Sequence, residues 1–162
     1  MEKEIPKSTS TRERLIAHLE GGEAFLNIEY VLERMPFERL NERPDGLPYS
    51  FYELFYHIYV AQKDLLEYSK DSYYQSPEWP EGYWPSRTGP PSEAAWEELR
   101  DAFFEDRKAF MGLIKDPERD LHEPFRNGSG HTLFRQALLV IEHAAYHTGQ
   151  LWTIMRRLGL HP

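Results

Sequence analysis

The chain has 162 residues, 40% of them hydrophobic and 14% aromatic, which fits a single domain spanning residues 1–162 with a real core. Its formal net charge of −8, without any long basic run, argues against nucleic-acid binding, which needs Lys and Arg to neutralise phosphates, and against an anionic membrane surface as partner. With no cysteine, the chain can form neither a disulfide nor a zinc–thiolate site, and it has no thiol nucleophile of its own.

The N-terminal stretch MEKEIPKSTSTRERLIAHLEGGEAF has no apolar core of signal-peptide length, and no apolar run is long enough to span a bilayer. A cytoplasmic protein is expected. Residues 1–9 read as a loose tail.

Four helical segments follow, and no β-strand is convincing. The first is predicted from Thr11 to Met35, closed by Pro36. Leu15, Leu19, Phe25, Leu26, Ile28, Leu32 and Met35 form its apolar stripe. Gly21 and Gly22 each weaken the pattern by roughly 1 kcal/mol, so a bend is possible there. The second helix opens on a capping box, Ser50 with Glu53, and runs to about Ser69. Leu54, His57, Ile58, Ala61 and Leu65 share one face, while Phe51, Tyr52, Phe55, Tyr56 and Tyr59 cover much of the rest. A helix so aromatic all round needs cover from a long loop or a second subunit, and a homodimer is the expectation.

Residues 70–91 combine several prolines with Tyr73, Tyr74, Trp79, Tyr83 and Trp84. Such a loop is either functional or a packed cover over hydrophobic surface. The third helix is predicted from Ser92 as N-cap to Lys115, with Trp96, Leu99, Phe103, Phe110 and Leu113 as its seam. Asp106 falls where an apolar residue is expected. It is either a buried polar partner or a solvated residue on a slightly rotated helix. The fourth helix is predicted from Thr132 to Leu158, with Gly159 at its C-terminal cap. Leu133, Ala137, Val140, Ala144, His147, Leu151, Ile154 and Leu158 form a seam with steps of four and three. Four amphipathic helices predict an all-α four-helix bundle.

His143 and His147 are the most informative residues. Four positions apart on a helix, they share one face about 6 Å apart along the axis, so both imidazoles can reach one ion. His57 on the second helix is the best candidate for a third ligand. Helical spacing alone does not make the second and fourth helices neighbours. Apolar-face histidines are more often satisfied core residues than ligands, and H-x-x-x-H lacks the glutamate of H-E-x-x-H. His18, His122, His131 and His161 read as structural or surface residues. Glu142 projects about 100° from His143 and is a poor direct ligand. Gln150 can reach the edge of the site, with Tyr56 and Tyr146 nearby. Phosphate-binding glycine loops, dinucleotide fingerprints, Ca²⁺ loops and nucleophile elbows are absent, so no catalytic side chain can be named.

The segment HTLFRQALLVIEHAAYHTGQLWTIMRRLGL, with Glu142-His143, His147 and Gly149-Gln150, resembles the signature of the DinB-like superfamily, which includes the YfiT-type metal-dependent hydrolases. His57 in SFYELFYHIYVAQKDLL and the segment YWPSRTGPPSEAAWEEL are also similar to that family. The resemblance implies an up-down-down-up bundle, often dimeric. It also implies a divalent metal, usually zinc or nickel, held by His57, His143 and His147. Characterised relatives include transferases and isomerases that use bacillithiol or mycothiol. The expected function is therefore a metal-dependent thiol S-transferase, with a small-molecule thiol and an electrophile as partners. The alternatives are a metal-dependent hydrolase, or a non-enzymatic stress-response or ligand-binding module with a structural metal.

Overall fold

The computed structural model describes residues 10–21 and 23–160. The expected tail over residues 1–9, together with His161, lies outside them. The described residues carry helices α1 (Thr11–Glu20), α2 (Ile28–Leu32), α3 (Phe51–Lys70), α4 (Glu93–Lys115) and α5 (Leu133–Arg157). Short 3₁₀ turns lie at Phe37–Arg39 and Glu81–Tyr83. No strand occurs among the described residues, which contain one isolated antiparallel bridge between Pro124 and Thr132. The fold is all-α, and none of these helices is long and apolar enough to cross a membrane.

Side chains fix where the long helices begin. At Ser50 the capping box is complete: its hydroxyl accepts from the Glu53 N–H at 3.2 Å, and the Glu53 carboxylate accepts from the Ser50 N–H at 2.7 Å. A second box joins Ser10 to Glu13. Ser92 and Thr132 cap α4 and α5 by accepting from Ala95 and Arg135. Gly159, at φ 70°, takes the left-handed conformation just past the end of α5.

The first predicted helix is broken into two. α1 stops at Glu20, because Gly21 adopts φ 98°, where an L side chain is strained. Asn27 then starts α2 by accepting from the Glu29 N–H at 2.9 Å. The apolar periodicity continues across the break because both pieces bury residues: Leu15 and Leu19 on α1, Ile28, Val31 and Leu32 on α2. Leu26, in the break itself, is exposed.

α3 packs against both α4 and α5, and α1 also touches α4 and α5. The aromatic excess of α3 is met largely from within the chain. Phe55 sits edge-on to Trp96 and Phe103, each at 5.2 Å between centroids, and Tyr52 also meets Trp96. On α4 the inward positions are Trp96, Phe103, Arg107, Phe110 and Ile114. Ile114 thus takes the place expected for Leu113, and Arg107 enters where Asp106 was the candidate. Asp106 is half-buried with its Oδ2 unpartnered, and burial raises its pKa.

The core has two apolar parts. One gathers Leu32, Leu40, Phe51, Phe55, Ile58, Trp96, Phe103, Leu151 and Ile154. The other gathers Leu15, Leu19, Leu66, Phe110, Ile114, Leu133, Ala137 and Val140. On each long helix a buried polar residue falls between the two: Gln62 on α3, Arg107 on α4 and Thr148 on α5, with His57 just before Gln62 at the edge of the first part. Gln62 accepts from Arg107 Nε and donates to the Phe103 carbonyl, both at 2.8 Å. The guanidinium also lies 4.6 Å from the Phe103 ring centroid. This satisfied pair keeps the helices together across the apolar gap.

The Ser50 hydroxyl does more than cap α3. It donates to the Thr88 carbonyl at 2.6 Å and so ties the end of the aromatic loop to the start of the helix. Glu53 is also engaged by Arg43, and although burial works the other way, Arg43 and Ser50 hold its pKa below the usual range. Ser50→Ala removes both the cap and the tie. It should lower stability by about 1–2 kcal/mol in urea unfolding. A change within a few tenths would show that the cap and tie carry no weight.

Candidate metal centre and its cleft

His57 comes from the middle of α3, His143 and His147 from successive turns of α5. Because α3 and α5 pack side by side, the three imidazoles meet. One nitrogen from each lies within 4.8 Å of the other two. The His57 Nε2 and His143 Nε2 are 3.1 Å apart. Two imidazole nitrogens on one tetrahedral zinc ion would stand roughly 3.3 Å apart, since each Zn–N bond is about 2.0–2.1 Å. The third nitrogen lies within 4.8 Å of both and would have to draw in to complete the set.

Two of the outer nitrogens are already committed. His57 Nδ1 lies 3.3 Å from the Tyr83 carbonyl and must carry the proton to donate there. His147 Nδ1 lies 2.6 Å from Gln150 Oε1 and donates to it in the same way. Each bond fixes the tautomer that leaves Nε2 as a lone pair. Without a cation, the His57–His143 contact requires a proton on His143 Nε2. With a cation, all three inner nitrogens can be lone pairs.

Electrostatics favour the same state. Burial lowers the His143 pKa to about 3, with further lowering by His147 and His57. Burial and His147 lower that of His57 against the pull of the Tyr83 carbonyl. Burial also lowers that of His147 against the Gln150 hydrogen bond. Neutral imidazole is the ligating form. A set of nitrogen donors suits zinc, nickel or copper and suits Mg²⁺ or Ca²⁺ poorly, since those take oxygen.

The cluster opens on a cleft of about 860 Å³ between α3, α5 and the aromatic loop. Trp84 stacks on His57 at 4.3 Å between centroids and 6° between planes. Trp79 and Tyr83 approach the same ring edge-on. Tyr83 is held at both ends: its carbonyl accepts from His57, and its hydroxyl donates to Asp64 Oδ2 at 2.8 Å. The 70–91 loop therefore both covers α3 and lines the site.

The other sequence candidates sort as follows. Gln150 orients His147, as its position suggested. Tyr146 lines the cleft with its ring 4.9 Å from His147. Glu142 lines the exposed rim and is not in the cluster. Tyr56 packs among Tyr52 and Tyr59 and is not part of the cleft. His147 is half-buried, and Thr148 takes the innermost position at that level of α5, so the pair faces the cleft and not the centre of the core. His18 meets Glu23, His122 packs on Phe134, and His131 packs on Tyr68. Sequence reasoning missed Asp64. Its signal was the seven-residue step from His57, two turns along the same face.

An all-helical protein with three neutral imidazoles at the wall of an aromatic cleft has the makings of a helical metalloprotein. A family model for the DinB superfamily matches residues 9–151, and the chain belongs to that superfamily. Comparison with curated proteins and with solved structures finds no significant match. The family and the three-histidine cluster together fit a metal-dependent protein.

In chelator-treated protein, His143 should stay neutral at about pH 5, where an ordinary imidazole is almost fully charged. An NMR titration with a midpoint near the ordinary 6.5 would contradict this. The sign for stability follows: the unfolded chain takes up a proton that the native state refuses. Stability of the metal-free protein should therefore fall as pH drops from 6.5 towards about 3.

Proposed function

We propose that the chain is a single-domain, metal-dependent enzyme that activates a low-molecular-weight thiol of the bacillithiol type and transfers it to an electrophile. One observation carries the proposal: three converging imidazoles, two of them committed on their outer sides, face an open cleft large enough for small organic molecules. His57, His143 and His147 would hold a divalent ion, zinc or nickel. Such an ion lowers the pKa of a thiol brought to it and so makes the thiolate available at neutral pH. Three protein ligands leave room for that thiol. The absence of cysteine agrees, because the nucleophile then arrives with the cosubstrate.

The remaining parts are work for this chain's own residues. Tyr83 and Gln150 orient His57 and His147. Trp79 and Trp84 exclude water from one side of the site and offer flat apolar surface to a substrate. The helix neighbours, α3 with α4 and α5 and α1 with both, support the up-down-down-up four-helix bundle for the whole fold. A cytoplasmic homodimer completes the proposal.

Purified protein should bind one divalent ion per chain, and His143→Ala should abolish this. Thiol transfer from bacillithiol to a model electrophile such as monochlorobimane should disappear in His147→Ala. Protein that stays metal-free after incubation with Zn²⁺ or Ni²⁺ would sink the proposal. Full metal loading with no turnover, and a large loss of thermal stability on chelation, would favour a structural metal. Gln150→Ala, which frees the His147 ring, should weaken metal binding roughly 10–100-fold in a chelator competition. An unchanged affinity would show that Gln150 does not position the ligand.

A further inference from the structure

We infer that the end of the cleft away from the histidines binds an organic cation: a substrate with an apolar or aromatic body and a protonated amine or quaternary nitrogen. The inference rests on reading the cleft as a substrate site and names the chemistry that site selects.

The charges that line the cleft are of one sign. Asp64 and Glu142 are both part of its wall, and no lysine or arginine lines it among the described residues. Asp64 forms no ion pair among the described residues. Its Oδ2 accepts from the Tyr83 hydroxyl, and its Oδ1 is buried without a hydrogen-bond partner. Tyr74 is the nearest competitor. Burial first, then the Asp64 charge and a hydrogen bond to the Asp64 carboxylate, raise the Tyr74 pKa to about 12. A half-buried carboxylate with two phenols beside it, one oxygen unpartnered and no cationic partner is a group that a cation would relieve.

The rest of the wall is aromatic. Trp79 is 68% exposed and Tyr146 66%, so both leave ring surface open where they line the cleft. Tyr83 and Trp84 continue the surface inward. Aromatic faces beside carboxylates are the chemistry that selects organic cations, through cation–π attraction and direct charge pairing. At this end, away from the histidines, an anionic group would meet no side-chain cation and two like charges.

Spacing sets where the cation would lie. Asp64 is seven residues beyond His57 on one helix, which is roughly 10 Å along the axis. That is too far for Asp64 to ligate an ion held by the histidines or to take a proton directly from a group bound there. It suits a carboxylate that anchors one end of a substrate whose reactive end reaches the histidines. Asp64 is therefore a specificity-determining residue, with Glu142 adding negative charge at the rim.

The test uses two probes of similar shape, phenethylammonium and its neutral counterpart 2-phenylethanol, with binding followed by tryptophan fluorescence at pH 7. The cation should bind about tenfold more tightly. Asp64→Asn keeps an acceptor for the Tyr83 hydroxyl and should reduce that preference to about twofold, with the neutral probe unaffected. Glu142→Gln, on the exposed rim and remote from the folding core, should reduce it by about threefold. Equal binding of the two probes, or a preference that survives both substitutions, would overturn the inference. Metal content should stay the same in both variants. Because the readout is binding, absence of thiol transfer would leave this result standing, and loss of the preference would leave thiol transfer standing.

Discussion

The structure turns on one interruption: three long helices that are apolar above and below carry polar groups at the same level. Leaving an imidazole in such a place without partners is unfavourable, because each ring nitrogen gives up water. The chain meets that cost on one side by hydrogen bonds to Tyr83 and Gln150. On the other side the three inner nitrogens meet each other. Burial keeps them uncharged, so mutual repulsion does not force the helices apart. The deeper polar pair, Gln62 and Arg107, is satisfied within the protein and closes the gap behind the histidines. What distinguishes the histidine level is that its remaining lone pairs converge on a point beside a cleft.

The aromatic loop is the second constraint. It is fastened at Thr88 by Ser50, at Tyr83 by His57 and Asp64, and by stacking of Trp84 on His57. The same loop that shapes the cleft therefore sets the tautomer of one candidate ligand. A shift of Tyr83 would alter both the entrance and the donor. Site and cover are one mechanical unit, which is why prolines and large rings occur together in a segment that could otherwise pass for a linker.

Much of this is legible in the sequence where physics is local. Ser50 with Glu53, and Thr132 with Gly159, mark helix ends because capping chemistry acts over three or four residues. The seam of α5 shows direction, and the four-residue step puts His143 and His147 together. The meeting with His57 needed family resemblance, because helical spacing says nothing about which helices are neighbours. The break at Gly21 was visible only as a weakness: the apolar repeat resumes at Ile28, so periodicity carries straight across a gap that backbone conformation opens. Arg107 gave no signal at all. A charged residue reads as surface, yet its guanidinium is buried against Phe103 and Gln62, which turns α4 enough to put Asp106 at the edge. Asp64 stands out only once the loop brings the Tyr83 hydroxyl onto it.

On the proposed function, His57, His143 and His147 act together as one metal-binding set. X-ray absorption at the metal edge of zinc- or nickel-loaded protein tests it most directly. The ion's nearest neighbours should be mainly nitrogen at about 2.0–2.1 Å for zinc, with multiple scattering that fits three imidazoles. The imidazole count should fall to two in His57→Ala. A shell with one imidazole or none, or one that His57→Ala leaves unchanged, would contradict it.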